Sequence, residues 1–305
     1  MIVSVIIPTY NGSKVIGRAL KSLCAQTFSD FEVLVVDDNG VDTAEQKRTE
    51  LEINNYRNKL NITYIKHLIN LNGAKARNTG IENSKGKYLA FLDDDDIYLK
   101  NRLFNAVTFL NNNPDIGFVF SNVLITRNSK FVEIIKPKVI DNIQLNLLNN
   151  SMFFGTGSNL FFRKSVLHNI RGFNENYFRR QDNEFLLRAF YYQRYGVCDS
   201  LDILKCNDSF SNIPNYERLI ISNKLFYSDF SDLIAKFSAS DYKSFKENEY
   251  SRLFDCALMK ENKDIKNKAK LELKSFRSLT IKDHLKYFMS NLCVGDKNVL
   301  SIFYC

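Results

Sequence analysis

Five apolar runs in the first 120 residues, each closed by a polar cluster and linked by helical stretches, constrain this chain more than any other feature. Val3 to Ile7 is β-branched and nearly all apolar, and Pro8 is expected to stop it; such continuity suits a strand buried on both faces. Val15 to Gln26 carries Val15, Ile16, Ala19, Leu20 and Leu23 at helical spacing. Phe31 to Val36 reads as a second buried strand, closed by Asp37-Asp38-Asn39-Gly40. Asp42 to Lys59 reads as an exposed helix, Ile62 to Ile65 as a third strand and Ala74 to Asn83 as a short helix. Tyr88 to Leu92 is a fourth strand, followed by Asp93-Asp94-Asp95-Asp96; Arg102 to Leu110 is helical, and Ile116 to Phe120 is a fifth strand. The alternation predicts an α/β, Rossmann-like, mostly parallel central sheet flanked by helices. In such a sheet the carboxyl ends of the strands share one edge, where ligands bind. Thr9, Asp37-Asp38 and Asp93 to Asp96 each follow a strand, so they should meet in one crevice.

Composition removes several classes. With 45% hydrophobic residues the chain can fill a core, and disorder is excluded. The net charge of +8 comes from 42 basic against 34 acidic residues, without the dense block of a nucleic-acid-binding tail. Nucleic acid is not an expected partner, since no aromatic-basic motif appears. The six cysteines, Cys24, Cys198, Cys206, Cys256, Cys293 and Cys305, show no framework spacing and read as reduced thiols. The N-terminus has no basic n-region and no small-residue cleavage site, and no stretch reaches the ~18 uncharged apolar residues of a spanning helix. The expected location is cytoplasmic, extending to a peripheral position at the inner face of the cytoplasmic membrane.

Taken alone, Asp93 to Asp96 is a solvated turn with a helix N-cap, or a set of hard oxygen ligands for Mg²⁺ or Mn²⁺. Its place at the strand edge, with Asp37-Asp38 nearby, favours the ligand reading. The Asp-x-Asp-x-Asp-Gly spacing of an EF-hand is missing. No GxGxxG follows the first strand and no GxxxxGK[ST] occurs, so a dinucleotide fingerprint and a P-loop are poorly supported. His67, His168 and His284 are isolated and read as surface or packing residues, and Gly155-Thr156-Gly157-Ser158 lacks the flanks of a nucleophile elbow.

Together the segments resemble the family-2 inverting glycosyltransferases of GT-A fold. The matching pieces are Val5 to Asn11, Leu23 to Phe28, Phe31 to Asp38, Gly73 to Ile81 and Gly86 to Asp96, in order over about the first 120 residues. Gly172-Phe173-Asn174-Glu175 and Arg180 to Arg188 extend the likeness to about residue 196. The resemblance implies a nucleotide-sugar donor, UDP-linked, with Pro8, Thr9, Asn11, Asp37, Asp38, Arg77, Asp93 and Asp94 around the nucleotide. It implies Mn²⁺ or Mg²⁺ on Asp93 and Asp95, and Asp182 as the base that deprotonates the acceptor hydroxyl. Read on its own, Asp182 equally caps the helix from Asn183 to Arg194. Phe153 to Arg163 would lie under the donor sugar or form a structural hairpin.

Beyond about residue 200 the resemblance fades, and residues 217–290 read as amphipathic helices. The expected division is a catalytic domain over 1–215, with a nucleotide-sugar half over 1–120 and an acceptor half over 121–215, and a helical C-terminal region over 216–305. Lys260 to Lys286 holds nine Lys/Arg and four Asp/Glu, which suits contact with an anionic membrane or an ordinary solvated face. The expected acceptor is a glycan or lipid-linked hydroxyl in lipopolysaccharide, O-antigen or capsule synthesis, and a homo-oligomer stays open. The alternatives are a metal-dependent nucleotidyltransferase and a non-catalytic sugar-nucleotide-binding module.

Overall fold

Strands β1 (Val3–Thr9), β2 (Phe31–Asp37) and β3 (Ile62–Lys66) run parallel, joined by α1 (Ile16–Cys24) and α2 (Ala44–Asn54). The computed structural model describes residues 1–149, 154–207 and 216–292. After β3 come α3 (Gly73–Asn83), β4 (Tyr88–Phe91), β5 (Ile97–Tyr98), α4 (Arg102–Asn112), β6 (Ile116–Arg127) and β7 (Lys130–Ile135). Next are α5 (Ile143–Leu148), a 3₁₀ turn (Gly157–Asn159), β8 (Phe161–Arg163), α6 (Leu167–Ile170), α7 (Gln181–Tyr192) and β9 (Arg194–Cys206). The helices α8 (Tyr216–Asp229), α9 (Ser231–Ile234), α10 (Ala239–Lys260), α11 (Lys263–Phe276) and α12 (Ile281–Leu292) follow. By its internal contacts the chain forms two units, one of residues 1–143 and 152–208, the other of 144–151 and 209–305.

The sheet order is β3-β2-β1-β4-β8-β6-β9-β5, with β7 paired to β6. β3, β2, β1 and β4 form the parallel block read from sequence, and β6 pairs parallel with β9. β8 enters between β4 and β6 antiparallel to both, so the sheet is mixed. Several expected boundaries move, two of them for reasons of strand pairing. β1 continues through Pro8 to Thr9, because its pairing with β4 ends at Ile6 and the missing N–H interrupts no ladder bond there. β6 runs seven residues beyond Phe120, because β7 and β9 flank it on both sides and pair its backbone groups.

The core follows from the apolar pattern. α1 buries Ile16, Ala19, Leu20 and Leu23, and these pack with Val3, Val5 and Ile7 of β1 and Val33 and Val35 of β2. Arg102 is fully buried; its guanidinium donates to Ser121 Oγ at 2.7 Å and Asn159 O at 3.1 Å, and lies over the rings of Tyr98 and Phe161. A buried guanidinium needs such partners, and these fix the 3₁₀ turn. In the C-terminal unit Tyr216, Leu253, Phe254, Ala257, Leu258, Ala269 and Leu273 form a separate small core. Cys24 and Cys198 carry free thiols; Cys293, Cys305 and Phe153 lie outside the described residues.

Candidate active site

The three polar clusters meet at the carboxyl edge of the parallel block. Thr9 ends β1 opposite Asp37, its Oγ1 donates to Asp94 Oδ2 at 2.5 Å, and Asp38 N–H donates to Thr9 O at 2.9 Å. Gly12 closes this corner: a β-carbon there would stand 1.9 Å from Asp94 Oδ2 and 2.5 Å from Thr9 Oγ1, so any larger residue displaces that pair. Asn11 lies exposed in the left-handed region, with φ 58°, and its N–H donates to Asn39 Oδ1. Pro8, paired with Val36, presents no side-chain polar group to this edge.

Asp37 and Asp38 both spend their carboxylates on protein donors. Asp37 accepts from Tyr64 Oη at 2.6 Å and from the N–H and Nδ2 of Asn39 at 2.9 and 2.8 Å. Asp38, 2% exposed, accepts at Oδ1 from His67 Nδ1 and Leu71 N–H, and at Oδ2 from Asn70 Nδ2 and Asn72 N–H, all within 2.9 Å. It thus folds the loop before α3, where Asn72 Oδ1 caps the helix by accepting from Ala74 and Lys75 N–H. His67 joins this layer, with Nε2 2.9 Å from Thr79 Oγ1. Sequence reading missed it, although it follows β3 as Asp38 follows β2 and Asp93 follows β4.

The second half of the site is built around Arg77. Its Nη2 meets Asp93 Oδ1 at 2.9 Å, its Nη1 donates to Gln181 Oε1 at 3.0 Å, and its guanidinium lies over Phe173. Gln181 opens α7, so this link carries Asp182 to the strand edge. Asp182 sits in the first turn of α7 and is not its cap: that place belongs to Arg180, in the left-handed conformation with φ 60°. Asp182 Oδ1 is buried without a hydrogen-bond donor, and Oδ2 lies 3.0 Å from the place a β-carbon of Gly157 would take. Asp93 Oδ2 lies 3.3 Å from the same point.

Within Asp93 to Asp96 the four carboxylates have different surroundings. Asp96 is 2% exposed and accepts from Thr156 Oγ1 at 2.8 Å, Ser158 Oγ at 2.6 Å and Cys206 N–H at 3.2 Å. It is therefore a buried anchor for the Thr156–Ser158 turn, neither a solvated residue nor a helix cap. Ser158 Oγ also accepts from Asp93 N–H, so the Gly-Ser segment is tied beneath the cluster and is not a hairpin. Burial first, then repulsion from Asp93 and Asp96 against the Thr9 hydrogen bond, pushes the Asp94 carboxyl to about 6. Burial and then Asp93 and Asp94 push Asp95 to about 7, relieved in part by Arg18; burial and then Asp93 and Asp95 push Asp96 to about 7. Burial above all, countered by Arg77 and Lys205, raises Asp182.

Such a cluster is short of positive charge, which fits a divalent cation. Among the described residues no three His, Cys, Asp or Glu side chains form a group able to hold one. The fit is therefore to an ion shared with substrate phosphates, the usual habit of Mg²⁺, and not to an all-protein cage.

The family model described as glycosyl transferase family 2 matches residues 4–171, more than half of the chain. The chain belongs to glycosyl transferase family 2. Membership of that family points away from the nucleotidyltransferase reading. It is 33% identical over 193 residues to the amylovoran biosynthesis glycosyltransferase AmsB of Erwinia amylovora, covering 61% of this chain and 63% of that one. It is 35% identical over 132 residues to WfgD of Escherichia coli, a UDP-Glc:alpha-D-GlcNAc-diphosphoundecaprenol beta-1,3-glucosyltransferase, covering 43% and 49%. An uncharacterized glycosyltransferase of Rickettsia bellii matches at 32% identity over 62% of this chain and 27% of its own length. The chain thus spans less than two thirds of each of these relatives. In fold it is similar to S. aureus TarS 1-349 in complex with UDP-GlcNAc, at TM-score 0.58 and 19% identity over 95% of this chain and 92% of that one. A mannosyltransferase of Pyrobaculum calidifontis in complex with GDP-Man and Mn2+ matches at TM-score 0.53 and 16% identity over 99% and 84%. The chain therefore has the GT-A type of α/β fold expected of it, with C-terminal helices. Among its described residues no helix is long and apolar enough to cross a membrane.

Proposed function

We propose that this glycosyltransferase moves a sugar with inversion from a UDP-sugar to a hydroxyl of a glycan or lipid-linked acceptor in bacterial surface-polysaccharide assembly. One observation carries the mechanism: Asp93 and Asp182, on separate elements, converge on Gly157 and are linked through Arg77 and Gln181. A glycine there leaves the space between two carboxylates open for a substrate. Asp182 Oδ1, buried and without a donor, is suited to take a proton. It would accept the acceptor hydroxyl proton as that oxygen attacks C1 and the C1–O bond to the diphosphate breaks, the electron pair leaving with the diphosphate.

Asp93 and Asp95 would hold Mn²⁺ or Mg²⁺, which when bound neutralises charge on the leaving diphosphate. Arg77, fixed by Asp93 and Gln181, orients Asp93 and adds positive charge on that side. Thr9, Asn11 and Asp94 would border the nucleotide beside Pro8. Asp38, with two hydrogen bonds accepted at each carboxylate oxygen, would serve it by folding the loop before α3, and Asp37, whose Oδ2 accepts one hydrogen bond, from Tyr64, would border it. The AmsB and WfgD names and the UDP-GlcNAc bound to TarS support the donor and pathway class. The C-terminal helical unit, over about 216–305, would contact an anionic membrane where lipid-linked acceptors reside.

A panel of UDP- and GDP-sugars, scored for nucleoside diphosphate release with Mn²⁺, Mg²⁺ or chelator, tests the reading. Metal-dependent release from a UDP-sugar is expected; none from any donor overturns it.

A further inference from the structure

Helix α12 is inverted relative to an ordinary surface helix. At about 100° per residue, Asp283, Lys286 and Ser290 fall on one side, and Ile281, Leu285 and Phe288 on the opposite one. The polar set is the buried set, at 6%, 8% and 2% exposure. Each member has a partner in the same helical unit. Asp283 accepts from Arg277 Nη1 at 2.7 Å, Lys286 pairs with Asp255 at 2.7 Å, and Ser290 O accepts from Lys266 Nζ at 2.7 Å. The apolar set is exposed by 81%, 46% and 60%. An i, i+4, i+7 apolar stripe ordinarily faces a core; here ion pairs hold the inward side and the stripe points away.

The borders of the stripe say what covers it. The exposed Lys282 stands on one flank, and the exposed His284 and half-buried Tyr287 on the other, with Lys270 Nζ 4.0 Å from the Tyr287 ring centroid. Of the nine basic and four acidic residues from Lys260 to Lys286, Lys266, Arg277, Lys286 and Asp283 are engaged within the unit, which leaves six basic against three acidic. A second copy seated on the stripe would set these basic borders against themselves, as a two-fold interface requires. An anionic lipid surface complements them. At 1.5 Å per residue α12 is about 18 Å long, too short to span and suited to lie in the interfacial plane.

We propose that α12 docks on an anionic bilayer, with Ile281, Leu285 and Phe288 entering the headgroup–acyl boundary and Lys270 and Lys282 lying among the headgroups. This names the face for the membrane contact put forward above and rests on that reading.

The chain contains no Trp, so Phe288→Trp supplies a single fluorescent reporter. The full chain is mixed with phosphatidylcholine vesicles, with or without phosphatidylglycerol. The expected result is a blue shift and protection from iodide only with the anionic vesicles. The triple variant Ile281→Ser, Leu285→Ser, Phe288→Ser should co-sediment at least about tenfold more weakly, with unchanged far-UV circular dichroism. Co-sedimentation of both the wild type and Phe288→Trp, with no change in the indole emission of the latter, would overturn the α12 face and leave membrane contact standing. No co-sedimentation of the wild type sinks both. A dimer in solution that the triple variant abolishes, with vesicle binding unaltered, would assign the stripe to a second copy and overturn the proposal.

Discussion

The carboxylates of Asp93 and Asp182 converge on Gly157, 3.3 and 3.0 Å from the position its β-carbon would occupy, although they lie 89 positions apart in the chain. The backbone of one edge thus fixes the distance between the two carboxylates proposed for the diphosphate side and the base side. Asp182→Asn keeps the shape and removes the base, so kcat should fall by about 10²–10⁴-fold with the donor KM little changed. The base works only when ionised, and burial raises Asp182 above the ordinary carboxylate range of about 3.9. Activity should therefore rise with pH through that raised value, placing the acid limb of the kcat/KM profile above an ordinary aspartate. Steady-state rates of the wild type and Asp182→Asn across pH check this; full turnover in the variant removes Asp182 from the role.

Gly157→Ala tests the open space itself. The 3₁₀ turn around Gly157 needs no left-handed φ there, so alanine fits the backbone. Its methyl would stand 3.0 Å from Asp182 Oδ2 and 3.3 Å from Asp93 Oδ2, tighter than ordinary contact. The expected outcome is a thermal midpoint within a few degrees of wild type and a loss of kcat/KM of at least about tenfold, since small misplacement of reacting groups is costly. Wild-type activity in Gly157→Ala would show that substrate does not pass between these carboxylates.

Asp38→Ala separates folding from binding. Four donors, from His67, Asn70, Leu71 and Asn72, lose their acceptor at a buried position. At about 1–3 kcal/mol for each unsatisfied buried group, discounted for water reaching the emptied space, the loss should be about 3 kcal/mol or more. Urea unfolding should show it as a lower midpoint, with donor KM raised because the loop before α3 loosens. A variant of native stability would return Asp38 to the direct nucleotide contact first expected of it.

Much of this was legible in the sequence because the parallel block is written in local terms. Each of Val3–Ile7, Phe31–Val36 and Tyr88–Leu92 is a nearly all-apolar run with polar residues after it, and parallel topology alone sends Thr9, Asp37 and Asp93 to one edge. What escaped depends on partners far apart in sequence. β8 is three residues long and pairs antiparallel between two longer strands, which no periodicity announces. Asp96 differs from Asp95 only in that Thr156, Ser158 and Cys206 converge on it. Gly12 and Gly157 carry no periodic signal, and the groups they leave room for, Asp94, Asp93 and Asp182, arrive from other elements. The inverted polarity of α12 was hidden for a similar reason: a helical wheel gives two faces and does not say which is inside.

Asp283 supplies a pH-dependent prediction for the C-terminal helical unit. Its carboxylate accepts from Thr280 N–H and Oγ1, and its own N–H donates to Thr280 Oγ1, a reciprocal cap at the start of α12. Arg277 adds an ion pair at 2.7 Å. Against the opposing effect of burial, the hydrogen bonds from Arg277 and Thr280 hold the carboxyl down at about 2. Because the folded value lies below the unfolded one, near 3.9, the ionised group binds fewer protons when folded. Its stabilisation is fully present above about pH 4 and is lost as pH falls towards 2. Asp283→Ala should therefore be less stable than wild type by about 1–2 kcal/mol at pH 6, the ordinary worth of a cap with a paired charge. The two proteins should converge as pH approaches 2. Urea melts followed by far-UV circular dichroism at pH 6, 4 and 2.5 measure the gap, and a gap that stays constant over that range would show that the ionisation of Asp283 contributes nothing to holding α12.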